Sequence, residues 1–366
     1  MTNNPLSRPA MQVYGITILF YSVVYMVLMI LPFHAITLGA SKTEIGMIMG
    51  VAMLASMFAR PVAGILIDRY GTGRIFLTAL SIFAFSLCGY FVADLWVVGG
   101  VRLIQGVIAA FFSTAMEIIT IRLLSDQVRG QGLSLYSLAT VLPTTFGPAL
   151  ALYLKDLLPM AWLFTLFLIM GACTFIYALV ISRQPDLLAA QARTPVKPVF
   201  ATGFWRNRNL IVPSLTMMFA SIANGAIFTF LPLHLEAAHS PYGSLYFMTQ
   251  TVVLVVCRFA GRRWLPFDGS SPTTLLLITT LLAAAGTSLL AFPVSLLLLL
   301  LAALCNGVAF ALLYPALLTF VSFAVTEQNR AFLLALFIAA ADFGFALGAL
   351  AMGPLAERFS YQIMYL

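Results

Sequence analysis

Five ionisable residues fall inside long apolar segments of this 366-residue chain: Arg60, Arg102, Glu117, Arg258 and Asp342. A charge at such depth costs about 3 kcal/mol on insertion scales, so it persists only in a wet cavity or beside a partner. Buried carboxylates can carry protons, and arginines can bind anions. The residues therefore predict a pathway for protons and a polar solute, with Asp342, Glu117 and Arg102 as proton-coupling candidates.

Arg102 and Glu117 belong to one predicted helix and are fifteen residues apart. Helical geometry separates them by about 60° around the axis and about 22 Å along it. They therefore share a face but cannot touch. We place Arg102 toward the outer half of the membrane and Glu117 in the inner third. Alternatively, Arg102 ties neighbouring helices together through backbone carbonyls.

Arg60 and Arg258 lie near the predicted cytoplasmic ends of their helices. Each could reach the lipid headgroups, as long basic side chains do, or it could face the cavity. If Arg60 and Arg258 face the cavity, they and Arg102 outnumber its two carboxylates, so the cavity carries a net positive charge. That charge would favour a substrate with carboxylate groups.

The composition of the chain places these charges in a membrane. Hydrophobic residues make up 62% of it, charged residues 8%, and the mean hydropathy is +1.02. A water-soluble domain cannot bury that much apolar surface, whereas about 20 apolar residues span a bilayer. The pattern predicts eleven spans, at 13–38, 44–66, 75–93, 95–121, 133–154, 161–181, 210–235, 244–260, 274–292, 294–325 and 331–354. Residues 361–366 resemble the start of a twelfth, so we expect a longer reading frame to complete it.

The distribution of lysine and arginine predicts the orientation of these spans. With the N-terminus in the cytoplasm, most basic residues lie on that side, and only Lys42, Lys155 and Arg358 lie outside. Cytoplasmic loops of membrane proteins are rich in such residues. The net charge of +7 thus reflects topology and gives no reason to expect nucleic-acid binding. We expect a monomeric, multi-pass protein of the bacterial cytoplasmic (inner) membrane with a cytoplasmic N-terminus.

Short segments recur at a nearly constant offset. Residues 31–34 (Leu-Pro-Phe-His) match residues 231–234 (Leu-Pro-Leu-His), and residues 103–107 match residues 304–308. Such a repeat predicts two pseudo-symmetric six-helix bundles. We place the first at 1–183, a cytoplasmic linker at 184–209 and the second at 210–366. His34 and His234 end equivalent helices, where capping or gate packing competes with a proton-relay or metal-binding role.

Three motifs carry a family resemblance. They are Gly64-x-x-x-Asp68-Arg69-x-Gly71, Arg102-x-x-Gln105-Gly106 and Gly147-Pro148. With the two-by-six repeat they resemble the major facilitator superfamily over the whole chain. The resemblance implies an all-α membrane fold and gating roles for the first and third motifs. The chain departs from the family pattern after Gly71 and at residues 261–263, where the matching loop of the second half lacks its acidic residue.

A narrower resemblance is to exporters of opine-type metallophores, the staphylopine-like family. It is carried by short stretches that include residues 134–137 (Ser-Leu-Tyr-Ser), residues 314–315 (Tyr-Pro) and residues 341–342 (Ala-Asp). The resemblance implies a substrate that is an amino-acid-derived polycarboxylate.

Polar and aromatic residues recur at helical spacing on several spans. Such stripes pack helices more often than they bind ligands, but in the resembled fold spans one, four, seven and ten line the cavity. The resulting substrate-binding candidates are Arg60, Arg102, Arg258, Tyr21, Tyr25, Asn224, Phe228, Asn306, Phe310 and Tyr314.

These features favour a proton-coupled, alternating-access exporter of a small anionic solute, with an opine-type metallophore as the best candidate. A multidrug or sugar exporter of the same superfamily is the alternative within transporters. A membrane receptor or enzyme is the alternative of another class, but no Ser/His/Asp set, metal-ligand spacing or phosphate-binding loop is evident. The sequence calls for no cofactor or metal, and the expected partners are solute, protons and lipid.

Overall fold

The computed structural model describes residues 4–125, 128–182, 207–260, 273–324 and 330–366. This part of the chain is helical and contains no β-strand. The helices are α1 (Arg8–Thr37), α2 (Lys42–Tyr70), α3 (Thr72–Ser86), α4 (Leu95–Leu123), α5 (Arg129–Leu157), α6 (Met160–Ser182), α7 (Arg208–Ala237), α8 (Gly243–Ala260), α9 (Thr273–Leu289), α10 (Leu296–Ala324), α11 (Arg330–Arg358) and the short α12 (Tyr361–Met364). Each of the eleven predicted spans corresponds to one of the helices α1 to α11.

Most of these helices are long and apolar enough to cross a bilayer. Nine described helices meet both criteria, while α8 and α9 are apolar but shorter. Large apolar side chains lie on the outside, with Phe85 79% exposed and Leu297 68% exposed. An apolar exterior of this kind suits lipid and not water. The chain is therefore a multi-pass membrane protein.

The third span ends differently from its prediction. The α-helix stops at Ser86 and continues as a 3₁₀ turn over Leu87–Phe91. Gly89 lies in this turn against α4, where an added Cβ would lie 2.4 Å from Val101. The tighter winding brings Tyr90 into the interior, where it is 1% exposed.

The described residues belong to two compact units. One comprises Met1–His34 and Leu54–Val196, the other Ala35–Met53 and Lys197–Leu366. The first part of α2 is grouped with the second unit because it packs on α11, where Gly46 faces the carbonyl oxygen of Ala349. The proposed linker lies mostly outside the described residues.

Close helix contacts repeat in the two units at equivalent positions. In α5, Gly147 faces Tyr25 of α1, and an added Cβ would lie 3.2 Å from the Tyr25 Cβ. In α11, Gly348 faces α7, and its Cβ would lie 2.1 Å from the Ile222 carbonyl oxygen. Small residues let membrane helices approach closely. The two glycines are 201 residues apart, so the contact follows the predicted duplication.

Candidate functional site

Four polar residues on four helices are linked by electrostatic interactions, and we call them the Arg60 cluster. Its members are Tyr21 of α1, Arg60 of α2, Glu117 of α4 and Tyr136 of α5. Arg60 lies about 15 Å before the end of α2, Glu117 about 9 Å before the end of α4, and Tyr136 about 10 Å after the start of α5. Under the predicted topology, these positions place the three residues toward the cytoplasmic side.

Charge interactions join the members of the cluster. The Arg60 guanidinium acts electrostatically on the Glu117 carboxylate, and both act on the Tyr136 hydroxyl, as does Tyr21. The Glu117 side chain has exposed surface, even though many protein atoms lie near its carboxylate. The Arg60 side chain is half-buried. The Glu117 carboxylate therefore keeps exposed surface while it stays under the influence of a cation.

Aromatic packing fixes the wall beside Glu117. Phe112, five residues before Glu117, is buried and stacks on Phe20 with ring centroids 3.8 Å apart. The Tyr21 ring meets Phe112 edge-on at 6.0 Å and lies 6.1 Å from the ring of Tyr25. Gly147 permits this arrangement because it lets α5 approach α1, and the adjacent Pro148 is also buried.

Tyr136 is anchored to the same stretch of α4. Its hydroxyl donates to the carbonyl oxygen of Ser113 at 3.5 Å, and its side chain is 9% exposed. Ser113 lies one helical turn before Glu117. In the sequence, Tyr136 stands out only as part of a family motif, and no spacing rule pairs it with a helix that ends more than a dozen residues earlier.

Arg102 lies elsewhere in the first unit. Its side chain is 3% exposed and interacts with the Tyr90 hydroxyl, which donates to the Gln105 side-chain oxygen at 2.7 Å. The Gln105 amide donates to the Ser86 hydroxyl at 3.3 Å. Within the described residues, the Arg102 Nε makes no hydrogen bond. Arg102 is thus enclosed in the bundle beside a tyrosine, and its coupling and substrate-binding roles stay predictions.

The position equivalent to Gln105 in the second unit, Asn306, makes a related contact. Asn306 is fully buried, and its amide donates to the Tyr246 hydroxyl at 3.0 Å. An added Cβ on Gly286 would lie 2.7 Å from the Asn306 side-chain oxygen. Asn306 therefore packs α8, α9 and α10 together in this structure, and a solute would need a conformational change to reach it.

Three other candidates on the second unit make apolar contacts. Phe310 is 8% exposed within a hydrophobic core cluster, and the Tyr314 ring lies 6.0 Å from that of Phe337. The half-buried Phe228 ring lies 5.4 Å from Phe247. These contacts agree with the packing alternative for Phe310 and Tyr314, while Phe228 retains accessible surface.

The polar candidates of the second unit are dispersed along three helices. The Asn224 side-chain oxygen on α7 is buried and has no hydrogen-bond partner among the described residues. Asp342 is half-buried and lies about 18 Å from the start of α11. Arg258 lies in the last turn of α8. Each remains a candidate for solute or proton contact.

The predicted gating motif forms the tight connection between α2 and α3. Gly71 alone separates these helices and has φ +88°, a left-handed conformation that favours glycine. An added Cβ on Gly64 would meet no atom of another segment within 4 Å, and the Arg69 guanidinium carbon lies 5.3 Å from the centre of the Tyr70 ring. The side chain of Asp68 is outside the described residues, so its predicted role stays a prediction.

The two repeat histidines pack against aromatic rings. His34 lies 4.7 Å from Phe164, and His234 lies 5.5 Å from Tyr361. Both histidines are 8% exposed. Their environments agree with the packing interpretation, and no group of residues suited to hold a metal ion occurs in the described part of the chain.

Comparisons with known proteins agree with this architecture. The Major Facilitator Superfamily model matches residues 13–266. The staphylopine export protein of Staphylococcus aureus is 31% identical over 99% of this chain and 92% of its own length. The multidrug export protein EmrB of Haemophilus influenzae is 29% identical, over 37% of this chain and 26% of its own length.

Solved structures share the fold at low sequence identity. A transporter of the POT family superposes with a TM-score of 0.82, covering 98% of this chain and 92% of that one at 13% identity. The nucleoside transporter NupG gives 0.77 at 16% identity, with 98% and 95% covered. Because the family model covers most of the chain and the repeated helix contacts follow the same duplication, this chain is a transporter of the Major Facilitator Superfamily that resembles the staphylopine exporters.

Proposed function

We propose that this transporter exports a small anionic solute of the opine-metallophore type from the cytoplasm in exchange for protons. The observation that carries the proposal is the Arg60 cluster, in which an exposed carboxylate and a half-buried guanidinium on apolar helices interact electrostatically. The likeness to a staphylopine export protein over nearly the whole chain supports the direction of transport and the class of solute.

Proton coupling rests on the carboxylates. Glu117 has exposed surface, so its carboxylate can exchange a proton. Arg60 acts electrostatically on Glu117, so a solute that binds Arg60 would change the stability of the ionised carboxylate. Asp342 near the middle of α11 is the second candidate. Transporter sites lie near the bilayer midplane, which favours Asp342 by depth, whereas Glu117 has the defined cation partner.

A multidrug exporter is the second candidate function. The rings of Tyr21 and Tyr25, which are half-buried and lie 6.1 Å apart, would suit a lipophilic cation, because aromatic faces attract cations. The partial likeness to EmrB points the same way. Arg60 opposes it, since a cationic solute would be repelled by the guanidinium.

Orientation and assembly form part of the proposal. We place a monomer in the cytoplasmic membrane with the N-terminus and the Arg60 cluster toward the cytoplasm. The concentration of basic residues in the loops assigned to that side supports this orientation.

Reconstituted vesicles with an imposed pH gradient test the function. Export predicts gradient-driven accumulation of metal-free staphylopine in vesicles that expose the cytoplasmic face, and collapse of accumulation when the gradient is dissipated. Glu117→Gln should lose accumulation, while Asp156→Asn should retain it because Asp156 is a 75% exposed residue of a surface ion pair. Accumulation of a lipophilic cation but not of the opine would instead support the multidrug function.

A further inference from the structure

We propose that the start of α2 and the end of α11 form a latch that opposes opening of the transporter at its outer face, with Lys42 and Glu357 as the two charged contacts. We call the contacts made by Lys42, Thr43, Ala356 and Glu357 the outer latch. The inference rests on the orientation given in the proposed function, which places both helix ends at the outer face. It does not depend on which solute is carried.

The first turn of α2 is completed by a carboxylate from α11. Ser41 and Glu44 form a capping box, in which the Ser41 hydroxyl accepts from the Glu44 nitrogen at 3.2 Å and the Glu44 carboxylate accepts from the Ser41 nitrogen at 2.8 Å. The box does not use the backbone N–H of Thr43, which donates to the Glu357 carboxylate at 3.2 Å. The Thr43 hydroxyl donates to the same carboxylate oxygen. Glu357 therefore supplies a partner that the first turn of α2 lacks.

Lys42 makes the reverse contact with the end of α11. Its Nζ donates to the carbonyl oxygen of Ala356 at 2.9 Å and lies 4.2 Å from the centre of the Tyr361 ring. Ala356 is one of the last three residues of α11, where carbonyl oxygens have no partner within the helix. Anions stabilise the N-terminus of a helix and cations stabilise its C-terminus. Each helix thus carries the charge that the end of the other favours.

Close backbone packing holds these two helix ends in register. An added Cβ on Gly353 would lie 2.7 Å from the Lys42 carbonyl oxygen, and one on Gly46 would lie 2.3 Å from the Ala349 carbonyl oxygen. Small residues allow such an approach between membrane helices. Because backbone atoms form these contacts, the helices cannot separate here without breaking both charged contacts of the outer latch.

The outer latch bears on transport because of the helices that it joins. The predicted duplication assigns α2 to the first half of the chain and α11 to the second half. Transporters built from two such halves work by rocking one half against the other. Glu357 is exposed and Lys42 is half-buried, so water can replace their contacts when the helices part. The outer latch therefore biases the protein toward the closed outer face and still permits opening in each cycle.

A distance measurement on the full chain in lipid nanodiscs tests the inference. Nitroxide labels are placed at Trp96→Cys and Leu297→Cys in a variant whose four native cysteines are replaced by serine. These two residues are 84% and 68% exposed, lie at the starts of α4 and α10, and are 201 residues apart, as the duplication requires. Double electron–electron resonance then resolves a short distance for the closed outer face and a long distance for the open one.

Removal of the carboxylate should favour the open outer face. We expect Glu357→Ala to raise the ratio of the long to the short component by roughly threefold to tenfold, because two hydrogen bonds to an exposed carboxylate are lost. Glu357→Gln should have a smaller effect, since its amide oxygen can still accept from Thr43. Lys42→Met should shift the ratio in the same direction as Glu357→Ala.

Controls separate the outer latch from a general effect of charge. Asp156→Asn removes a 75% exposed carboxylate that pairs with Lys155, and it should leave the ratio unchanged. Thr43→Val combined with Glu357→Ala should change the ratio by less than the two single effects together, because the residues share one contact. The effect of Glu357→Ala should shrink at about 1 M salt, where charges are screened beyond about 3 Å.

A cross-link tests whether the outer latch must open. A bifunctional maleimide that joins Thr43→Cys to Glu357→Cys should remove the long component. A long component that persists after cross-linking would overturn the inference, as would an unchanged ratio in a monodisperse Glu357→Ala protein.

Labelling from one side of the membrane tests the orientation. A membrane-impermeant maleimide applied to intact cells should label Trp96→Cys, and labelling only in inside-out vesicles would overturn the placement of the outer latch. None of these measurements uses a solute. A protein that responds to Glu357→Ala as expected but does not transport the opine would therefore contradict the proposed function alone.

Discussion

Substitution of Gly348 by alanine should weaken the packing of α11 against α7. An added Cβ would lie 2.1 Å from the Ile222 carbonyl oxygen, 2.9 Å from its carbonyl carbon and 3.0 Å from the Ala226 nitrogen. These are backbone atoms within a helix, so they cannot rotate away. The helices must separate by roughly 1 Å to restore ordinary contact, which gives up close packing along their shared face.

The magnitude follows from two opposing effects. Overpacking of this kind costs about 1–3 kcal/mol, while replacing glycine by alanine within a helix gains about 1 kcal/mol. We expect a net loss of up to about 2 kcal/mol for Gly348→Ala. At Gly147 the closest atom is a side-chain Cβ at 3.2 Å, so Gly147→Ala should be near neutral. Gly100 of α4 has no atom within 4 Å, so Gly100→Ala should be neutral or stabilising.

Thermal unfolding of the three variants in one detergent provides the assay. Domain-sized proteins shift by roughly 2–4 °C per kcal/mol, so Gly348→Ala should unfold several degrees below the unmodified protein and Gly100→Ala at or above it. Equal midpoints for Gly348→Ala and Gly100→Ala would refute the packing argument. A larger loss in Gly147→Ala than in Gly348→Ala would refute the proposed order.

Further substitutions test individual residues. Asp342→Asn and Glu117→Gln should each keep solute binding. The variant that removes the proton-carrying carboxylate should lower gradient-driven accumulation by at least about tenfold. Full accumulation in either variant would show that its carboxylate does not take part in coupling. Arg102→Ala should abolish transport in an inserted, folded protein, and Arg102→Lys should restore part of it because an ammonium keeps the charge but not the planar fork; normal transport in Arg102→Ala would contradict this. Gly71→Ala should lose about 1–2 kcal/mol because φ +88° strains a residue with a Cβ, as measured by thermal unfolding, and an unchanged midpoint would show that the connection relaxes.

Helix rotation decided which predicted residues meet. The stripe of Asn306, Phe310 and Tyr314 has the spacing of one helix face, but the pattern could not tell whether that face packs or lines a cavity. The structure encloses Asn306 against Tyr246 and Phe310 in a core cluster. Packing contacts such as that of Gly286 fix the rotation, and these involve residues far apart in the chain.

The amino-acid pattern alone predicted the membrane environment, the eleven segments that form α1 to α11, the duplication and the superfamily. Hydropathy acts along contiguous segments and a repeat preserves spacing, so both can be read along one chain. It also singled out Arg60 and Glu117, but as separate candidates.

The packing of the helices linked Arg60, Glu117 and Tyr136 electrostatically and left Arg102 enclosed beside Tyr90. These side chains come from different helices, and their approach depends on how each helix rotates and how closely its glycines let a neighbour pack. No local pattern carries that information, because burial and charge pairing are properties of surfaces that meet only after the helices have assembled.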